Sequence, residues 1–570
     1  MLWGVAHRVV HGPRGWPMEV PGEWDLLLTS LAVAAGDAPD AAIGTLHGHE
    51  LGSYLVAALV ALPVAFGAAP VAAAKWVALL FGAASAGVLS GLAAALALDE
   101  APRRSAVLAA LATACVVAFA WPGLHFELAG VNGRTPEALL PQLIAVALVV
   151  TATPVRLPLR ASVAGAAAGL GILLSPVALW TAAACGVAAL VRVPRRFWLA
   201  TALSSTAGLL LPFLLFGLLV PGGWEGLRLF AVEQFGGGLA VSDAASGTPV
   251  GLALFGQVTA ALEGGAHNPD LALRPVVLGA LSWGALAALV AGLLLPAPDA
   301  DPSRPRWHRF TRPRVLASAI GLSWLVPLVL LPSDKWFYPL AYRYWLVLLG
   351  LGLAVGVSLL ARRTWPAVLP LVAALLLAPT LPRSIVAPAP SRAEALVSSG
   401  AHRLNGRPGR PRDAAFLALA PHLEGADALA LAEGYGLALG GDFAVDQRDA
   451  NARSGGPPVE RPWERLGHLD SASLTALRIG VGCGVTAVGT VPPGVTEALA
   501  RADGSEAFLW GLGRCSVDPG RQPPPGLADG ALDSVHGDDR EAFDAGRASR
   551  PWRTLRSQAA NPAQWMPPRW

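Results

Sequence analysis

Two carboxylates one residue apart, Glu23 and Asp25, stand at the head of the apolar stretch PGEWDLLLTSLAVAAGDAPD. A Glu-x-Asp pair can hold a divalent cation through its oxygens, or take the proton of a hydroxyl or water. The competing role is structural: acids in the first turn of the following helix are favoured by the positive end of its dipole. Further on, TLHGHELGSYLV carries His47, His49, Glu50 and Tyr54. The H-x-H pair suits a metal or an anionic headgroup, and equally a polar loop with Glu50 in the first turn of the next helix.

Lys75 sits early in the long apolar run PVAAAKWVALLFGAASAGVLSGLAAALAL. A cation there either snorkels to the surface or meets a phosphate at the headgroup level. The loop WPGLHFELAGVNGRTPEALL brings His125, Glu127, Asn132, Arg134 and Glu137 together in sequence. These groups suit phosphate or sugar hydroxyls, and solvated loop charge is the alternative. In SDKWFYPLAYRYW, Asp334, Lys335, Tyr338, Tyr342, Arg343 and Tyr344 precede another apolar run. This is either an aromatic belt with a basic anchor or a site for an anionic lipid phosphate.

The elements that position these groups are membrane helices. The 570-residue chain is 54% hydrophobic and 14% charged, with mean hydropathy +0.51, whereas soluble chains carry about 25% charge. Spans are predicted at 70–98, 105–123, 136–153, 161–175, 176–191, 198–220, 272–296, 314–332, 344–361 and 366–381. The run 161–191 is read as two helices broken at Ser175-Pro176, with one kinked helix as the alternative. One helix of that length would reach about 47 Å, against a hydrocarbon layer of about 30 Å. Residues 26–36 are too short to span and read as an interfacial helix. Residues 51–68, with Pro63, either span or lie at the surface.

Five arginine clusters alternate with arginine-poor loops: Arg103/Arg104, Arg156/Arg160, Arg192/Arg195/Arg196, Arg304 to Arg314, and Arg362/Arg363. The positive-inside rule puts these in the cytoplasm; the alternation needs 161–191 to be two crossings, and needs 51–68 either not to cross or to be paired with a helix upstream. The opposite side would hold 1–69, 124–135, 221–271, 333–343 and the tail from 382. The loop 221–271 is long enough to be functional.

The net charge of +3 is small and the basic residues lie in short clusters, which argues against nucleic-acid binding. The chain carries no Walker loop, dinucleotide fingerprint or Ser/His/Asp signature. Only Lys75 and Lys335 are lysines; the rest of the 42 basic residues are arginines. With the abundant Ala, Gly and Pro, this composition suggests a GC-rich bacterial genome. Cys115 and Cys185 lie in apolar runs, and Cys483 and Cys515, in the polar tail, are positioned to pair if that region is extracytoplasmic. Residues 1–20 are too polar for a signal peptide.

The order of these pieces resembles the membrane-embedded GT-C glycosyltransferases, such as the protein O-mannosyltransferase and aminoarabinose-transferase relatives. An acidic pair is followed by a short apolar segment, a loop, then HGHELGSYLVAALVALPVAFG and AAAKWVALLFGAASAGVLSGL. In that family a first-loop Glu or Asp is catalytic and basic residues bind the phosphate of a polyprenyl-phosphate sugar. The resemblance implies that Glu23 or Asp25 takes the catalytic position and Lys75 the basic one. YRYWLVLLGLGL resembles the family's late Arg-Tyr segment, which implies Arg343 as a second phosphate contact. His47, His49, His125 and Lys335 are the remaining candidate substrate contacts. The family carries a membrane helix ahead of the acidic loop. Residues 1–20 hold none, so the resemblance predicts an apolar segment encoded upstream of Met1 or a derivative without activity.

The expectation is an all-α polytopic membrane protein with about 10 transmembrane helices and a small extracytoplasmic C-terminal region of mixed or irregular structure. The expected divisions are a loop region with interfacial helices over 1–69, a transmembrane domain over 70–381, a small domain over 382–520 and a poorly ordered tail over 521–570. The expected location is a bacterial inner membrane. The expected function is sugar transfer from a polyprenyl-phosphate carrier to an extracytoplasmic acceptor, with a divalent cation as the one possible cofactor. Membrane lipid is the expected surrounding partner, and the tail is a candidate contact for an envelope protein. The alternative is a non-catalytic scaffold or a lipid-binding or transport protein on the same fold. Transport is disfavoured because paired ionisable residues at mid-membrane are nearly absent.

Overall fold

Backbone that enters lipid must satisfy its own polar groups, and a helix does this within one segment. Every regular element among the described residues of this computed structural model is helical. The structure describes residues 21–36, 51–68, 70–99, 102–117, 135–153, 155–232, 274–295, 311–326, 346–362, 369–370, 416–417, 420–452, 463–466, 469–487, 505–516 and 538–548. The chain divides into two compact units, one of residues 1–16 with 40–387, the other of 17–39 with 388–570. Helix α1 (Pro21–Ala34) therefore groups with the second unit.

The first unit opens with α2 (Leu51–Ala65), α3 (Pro70–Leu98) and α4 (Arg103–Cys115). It continues with α5 (Thr135–Thr151), α6 (Leu157–Leu174), α7 (Leu179–Arg192) and α8 (Trp198–Leu219). A short helix α9 (Gly223–Ala231) follows, then α10 (Arg274–Leu294), α11 (Pro313–Ser323) and α12 (Leu346–Leu360). Its core is built from Leu89, Leu143, Val146, Leu289, Ile320, Leu349 and their neighbours.

The run 161–191 is two helices, the favoured of the two sequence readings. Helix α6 ends where Ser175 turns extended, and Pro176–Ala178 forms a 3-10 turn into α7. Three helices among the described residues are both long and apolar enough to cross a membrane: Trp76–Leu98, Leu157–Leu174 and Arg195–Leu219. Shorter apolar helices occupy Glu137–Thr151, Pro176–Arg192, Trp283–Leu294 and Leu346–Leu360, at four more of the expected spans. The expected span 366–381 lies almost wholly outside the described residues. Such helices, with leucines such as Leu199, Leu203 and Leu219 exposed, place the protein in a membrane.

Contacts between helix ends fix a common polarity. Arg192, the last residue of α7, donates to the carbonyls of Val149 and Val150 at the end of α5, both at 2.5 Å. Arg314, in the first turn of α11, donates to the Leu295 carbonyl just past α10 at 2.8 Å. Short connections join α5 to α6 and α7 to α8, and each carries arginines; Arg103 and Arg104 open α4 after the short connection from α3. At the other end Trp324, after α11, donates from Nε1 to Thr181 at the start of α7, 3.1 Å away. Arg156, Arg192, Arg195, Arg196, Arg312 and Arg314 thus share one end of the bundle, in keeping with the charge pattern in the sequence. Cations beside helix C-termini are also where the helix dipole favours them.

Helix α2 stays at the opposite end. Its Tyr54 packs edge-on against Phe216 near the end of α8, centroids 6.3 Å apart, and its C-terminus leads within a few residues into the start of α3. Its 15 residues reach about 22 Å.

The second unit comprises α1, α13 (Gly425–Ala452), α14 (Ser471–Ala487), α15 (Ser505–Ser516) and α16 (Asp538–Ala548). Ala32, Phe416, Leu431, Tyr435, Leu477, Val481, Phe508 and Phe543 share one core. Phe416 stacks on Tyr435 at 4.3 Å. Two sequence expectations change here. The described C-terminal structure is helical rather than mixed or irregular. Residues 538–548 lie within the stretch expected to be poorly ordered, yet they form a helix whose Phe543 enters that core.

Candidate functional site

Glu23 and Asp25 lie in the first two turns of α1, which starts at Pro21. Proline suits the first helical position because its missing N–H would be unpaired there anyway. The body of the helix is buried at Leu26, Thr29, Ser30 and Ala32. Ala32 belongs to the core of the C-terminal unit, so the element carrying the acidic pair is fastened to that unit.

Lys75 lies near the start of α3. Ala73, Ala74, Val77 and Ala78 around it are buried and Trp76 is exposed. The 23 residues Trp76–Leu98 rise about 35 Å at 1.5 Å per residue. The Lys75 backbone therefore stands farther from Leu98 along α3 than one hydrocarbon thickness of about 30 Å. An exposed tryptophan beside it fits a membrane interface.

The other candidate contacts, His47, His49, His125, Lys335 and Arg343, lie outside the described residues, as do Glu50 and Glu127. Tyr54 is buried against Phe216 and serves packing. Glu137 is not a solvated loop charge: it lies in the first turn of α5 and is buried.

One buried polar chain went unread in the sequence. Gln142 donates to the Ala138 carbonyl at 3.0 Å, Thr181 donates to Gln142 Oε1 at 2.7 Å, and Trp324 donates to Thr181 Oγ1 at 3.1 Å. It joins α5, the start of α7 and the end of α11. The available signal was Gln142 itself, a strongly polar side chain in an otherwise apolar run, since such groups hydrogen-bond across membrane helices.

In the C-terminal unit, Cys483 and Cys515 form a disulfide between α14 and α15, with Cα atoms 5.1 Å apart. Arg514 pairs with Glu433 at 2.8 Å, both largely buried, and its guanidinium lies 5.1 Å from the Trp510 ring centre. Asp470 caps α14, accepting from the Ala472 and Ser473 amides at 3.0 and 2.9 Å and from the Ser473 hydroxyl at 2.6 Å. The Ser473 hydroxyl, followed by the backbone amides, holds this carboxyl below the usual carboxylate range. On α9, Arg228 holds Glu225 low in the same way, mainly by hydrogen bonding. Among the described residues no three His, Cys, Asp or Glu side chains gather as a metal centre would need.

No protein-family model matches the sequence, and no curated protein matches it. Among solved structures, the chain is similar to the oligosaccharyltransferase AglB from Archaeoglobus fulgidus in complex with an inhibitory peptide and a dolichol-phosphate. That match has 13% identity and a TM-score of 0.41, covering 71% of this chain and 58% of that one. The apo form of the Archaeoglobus fulgidus oligosaccharyltransferase matches with a TM-score of 0.42 at 13% identity, covering 72% and 58%. The chain thus spans 58% of the length of the structures it matches.

Proposed function

We propose that this protein is a membrane glycosyltransferase of GT-C type, moving a sugar from a polyprenyl-phosphate carrier to an acceptor hydroxyl outside a bacterial inner membrane. Glu23 or Asp25 takes the hydroxyl proton. The acceptor oxygen then bonds to the anomeric carbon as the bond from that carbon to the carrier phosphate breaks. Lys75 and Arg343 neutralise the charge that develops on the leaving phosphate. His47, His49, His125 and Lys335 contact the sugar or the carrier.

The observation that carries this reading is the height of Lys75, one of two lysines in the chain, about 35 Å up α3. That is the level where a lipid phosphate lies, on the side away from the arginines. The arginine-bearing end is assigned to the cytoplasm by the positive-inside rule. The Cys483–Cys515 bond supports an oxidising compartment for the C-terminal unit.

The test replaces Glu23 and Asp25 separately with Ala and follows glycan transfer in membranes holding equal amounts of each variant. The reading expects one variant to lose transfer by about 100-fold or more, the usual scale for a general base. Full activity in both would remove the catalytic assignment of this pair, and absence of transfer by the native chain would leave the non-catalytic scaffold or lipid-binding reading.

A further inference from the structure

Helix α8 keeps a narrow face against α6 and turns the rest outward. Only 17% of its most apolar stretch is buried, and Leu211, Leu214, Leu215, Leu218 and Leu219 are exposed along it. Its 22 residues rise about 33 Å, close to one hydrocarbon thickness. At the arginine end stands Trp198, its Nε1 donating to the Val193 carbonyl at 3.2 Å. At the other end the chain reverses through Gly222, whose φ of 63° is a left-handed conformation that favours glycine, and enters α9.

Three faces of α9 differ. Gly223, Gly226 and Phe230 are buried against the bundle. Glu225 and Arg228 are exposed and pair at 2.5 and 2.8 Å. Between these faces runs an edge with Trp224 and, two turns on, Ala231, both exposed. The indole of Trp224 covers Gly217 of α8, where an added Cβ would lie 2.7 Å from the ring. The edge is therefore continuous with the leucine face of α8.

We infer that α9 is a membrane-surface helix whose partner is the lipid headgroup layer. Its Trp224–Ala231 edge lies at the boundary between headgroups and acyl chains, and the Glu225–Arg228 pair faces water. Tryptophan at both ends of one lipid-facing helix is the pattern of an interfacial belt, because its ring is apolar and its N–H polar. An amphipathic helix with charge on one side only lies in the interface plane. A protein partner, including a second copy, would have to cover an edge that runs without a break into surface already committed to lipid.

The test uses the full chain in vesicles of phosphatidylethanolamine and phosphatidylglycerol. Cys115→Ala and Cys185→Ala remove the free thiols, and the disulfide is left intact. Nitroxide labels are placed singly at Glu225→Cys, Ala231→Cys and Leu218→Cys, the last as the lipid reference. Access to oxygen and to a water-soluble nickel chelate is read by power saturation. The oxygen-to-nickel ratio is expected to be several-fold higher at 231 than at 225, and lower than at 218. A ratio at 231 equal to that at 225, with strong nickel access at both, would put α9 in water and overturn the inference. Exclusion of both reagents at 231 would overturn it as well, in favour of a covering protein. Sites 231 and 225 are exposed, so neither label needs the core to rearrange, and labels at 218 and 225 check the fold independently.

Discussion

Single side chains in this protein do work that their neighbours in sequence do not announce. Thr181 both donates to Gln142 and accepts from Trp324. Thr181→Val keeps the volume and strands a donor and an acceptor, which should destabilise the bundle by about 1–2 kcal/mol. Thermal unfolding in detergent should show it, and Thr181→Val with Trp324→Phe should cost less than the two changes summed. Asp470 gives a pH signature. Its carboxyl is held low in the folded state, while unfolded it titrates near about 3.9. The cap's contribution is thus complete above that unfolded value and disappears as pH falls through the lower folded one. Asp470→Asn should remove this acid dependence while keeping an acceptor, and Asp470→Ala should also lower the melting temperature at neutral pH. At this scale the sequence was half legible. Lys75 stood out because a cation in an apolar run needs a reason, whereas Gln142 and Thr181 are uncharged and only their packing shows what they join.

Helices were easier to read than their partners. Length together with the Ser175-Pro176 pair favours the break that the structure shows. Packing partners follow from surface shape, which composition does not encode. Helix α1 looks like the start of a membrane region, yet Ala32 is counted in the C-terminal core. The close crossing of α13 and α14 is another case. A Cβ at Gly480 would lie 1.8 Å from the Glu433 carbonyl oxygen, and one at Gly484 1.9 Å from that of Leu437. Gly480→Ala must push the helices apart and should cost about 1–3 kcal/mol, read as a lowered unfolding midpoint of the C-terminal unit. Gly441, whose added Cβ would meet nothing closer than 3.9 Å, is the matched control, and Gly441→Ala should be neutral or mildly stabilising.

For the whole molecule, the proposed orientation rests on the arginine-bearing end and the proposed compartment on the disulfide. The bond closes a loop of 32 residues, so Cys483→Ser should weaken the C-terminal unit by about 3–4 kcal/mol in the chain-entropy account. The loss should appear in calorimetry under non-reducing conditions. The grouping of residues 17–39 with 388–570 was beyond the sequence because it depends on contacts across hundreds of residues. The central claim is that the protein turns over a lipid-linked sugar. Its most direct measurement is the release of free polyprenyl phosphate from a labelled polyprenyl-phosphate sugar by the purified full chain in vesicles, with an acceptor hydroxyl supplied. The account predicts steady release by the native chain, a raised donor KM in Lys75→Ala, and no release when Glu23→Gln and Asp25→Asn are combined. Equal release from the native chain and the combined variant, or donor bound by the native chain and never consumed, would contradict it.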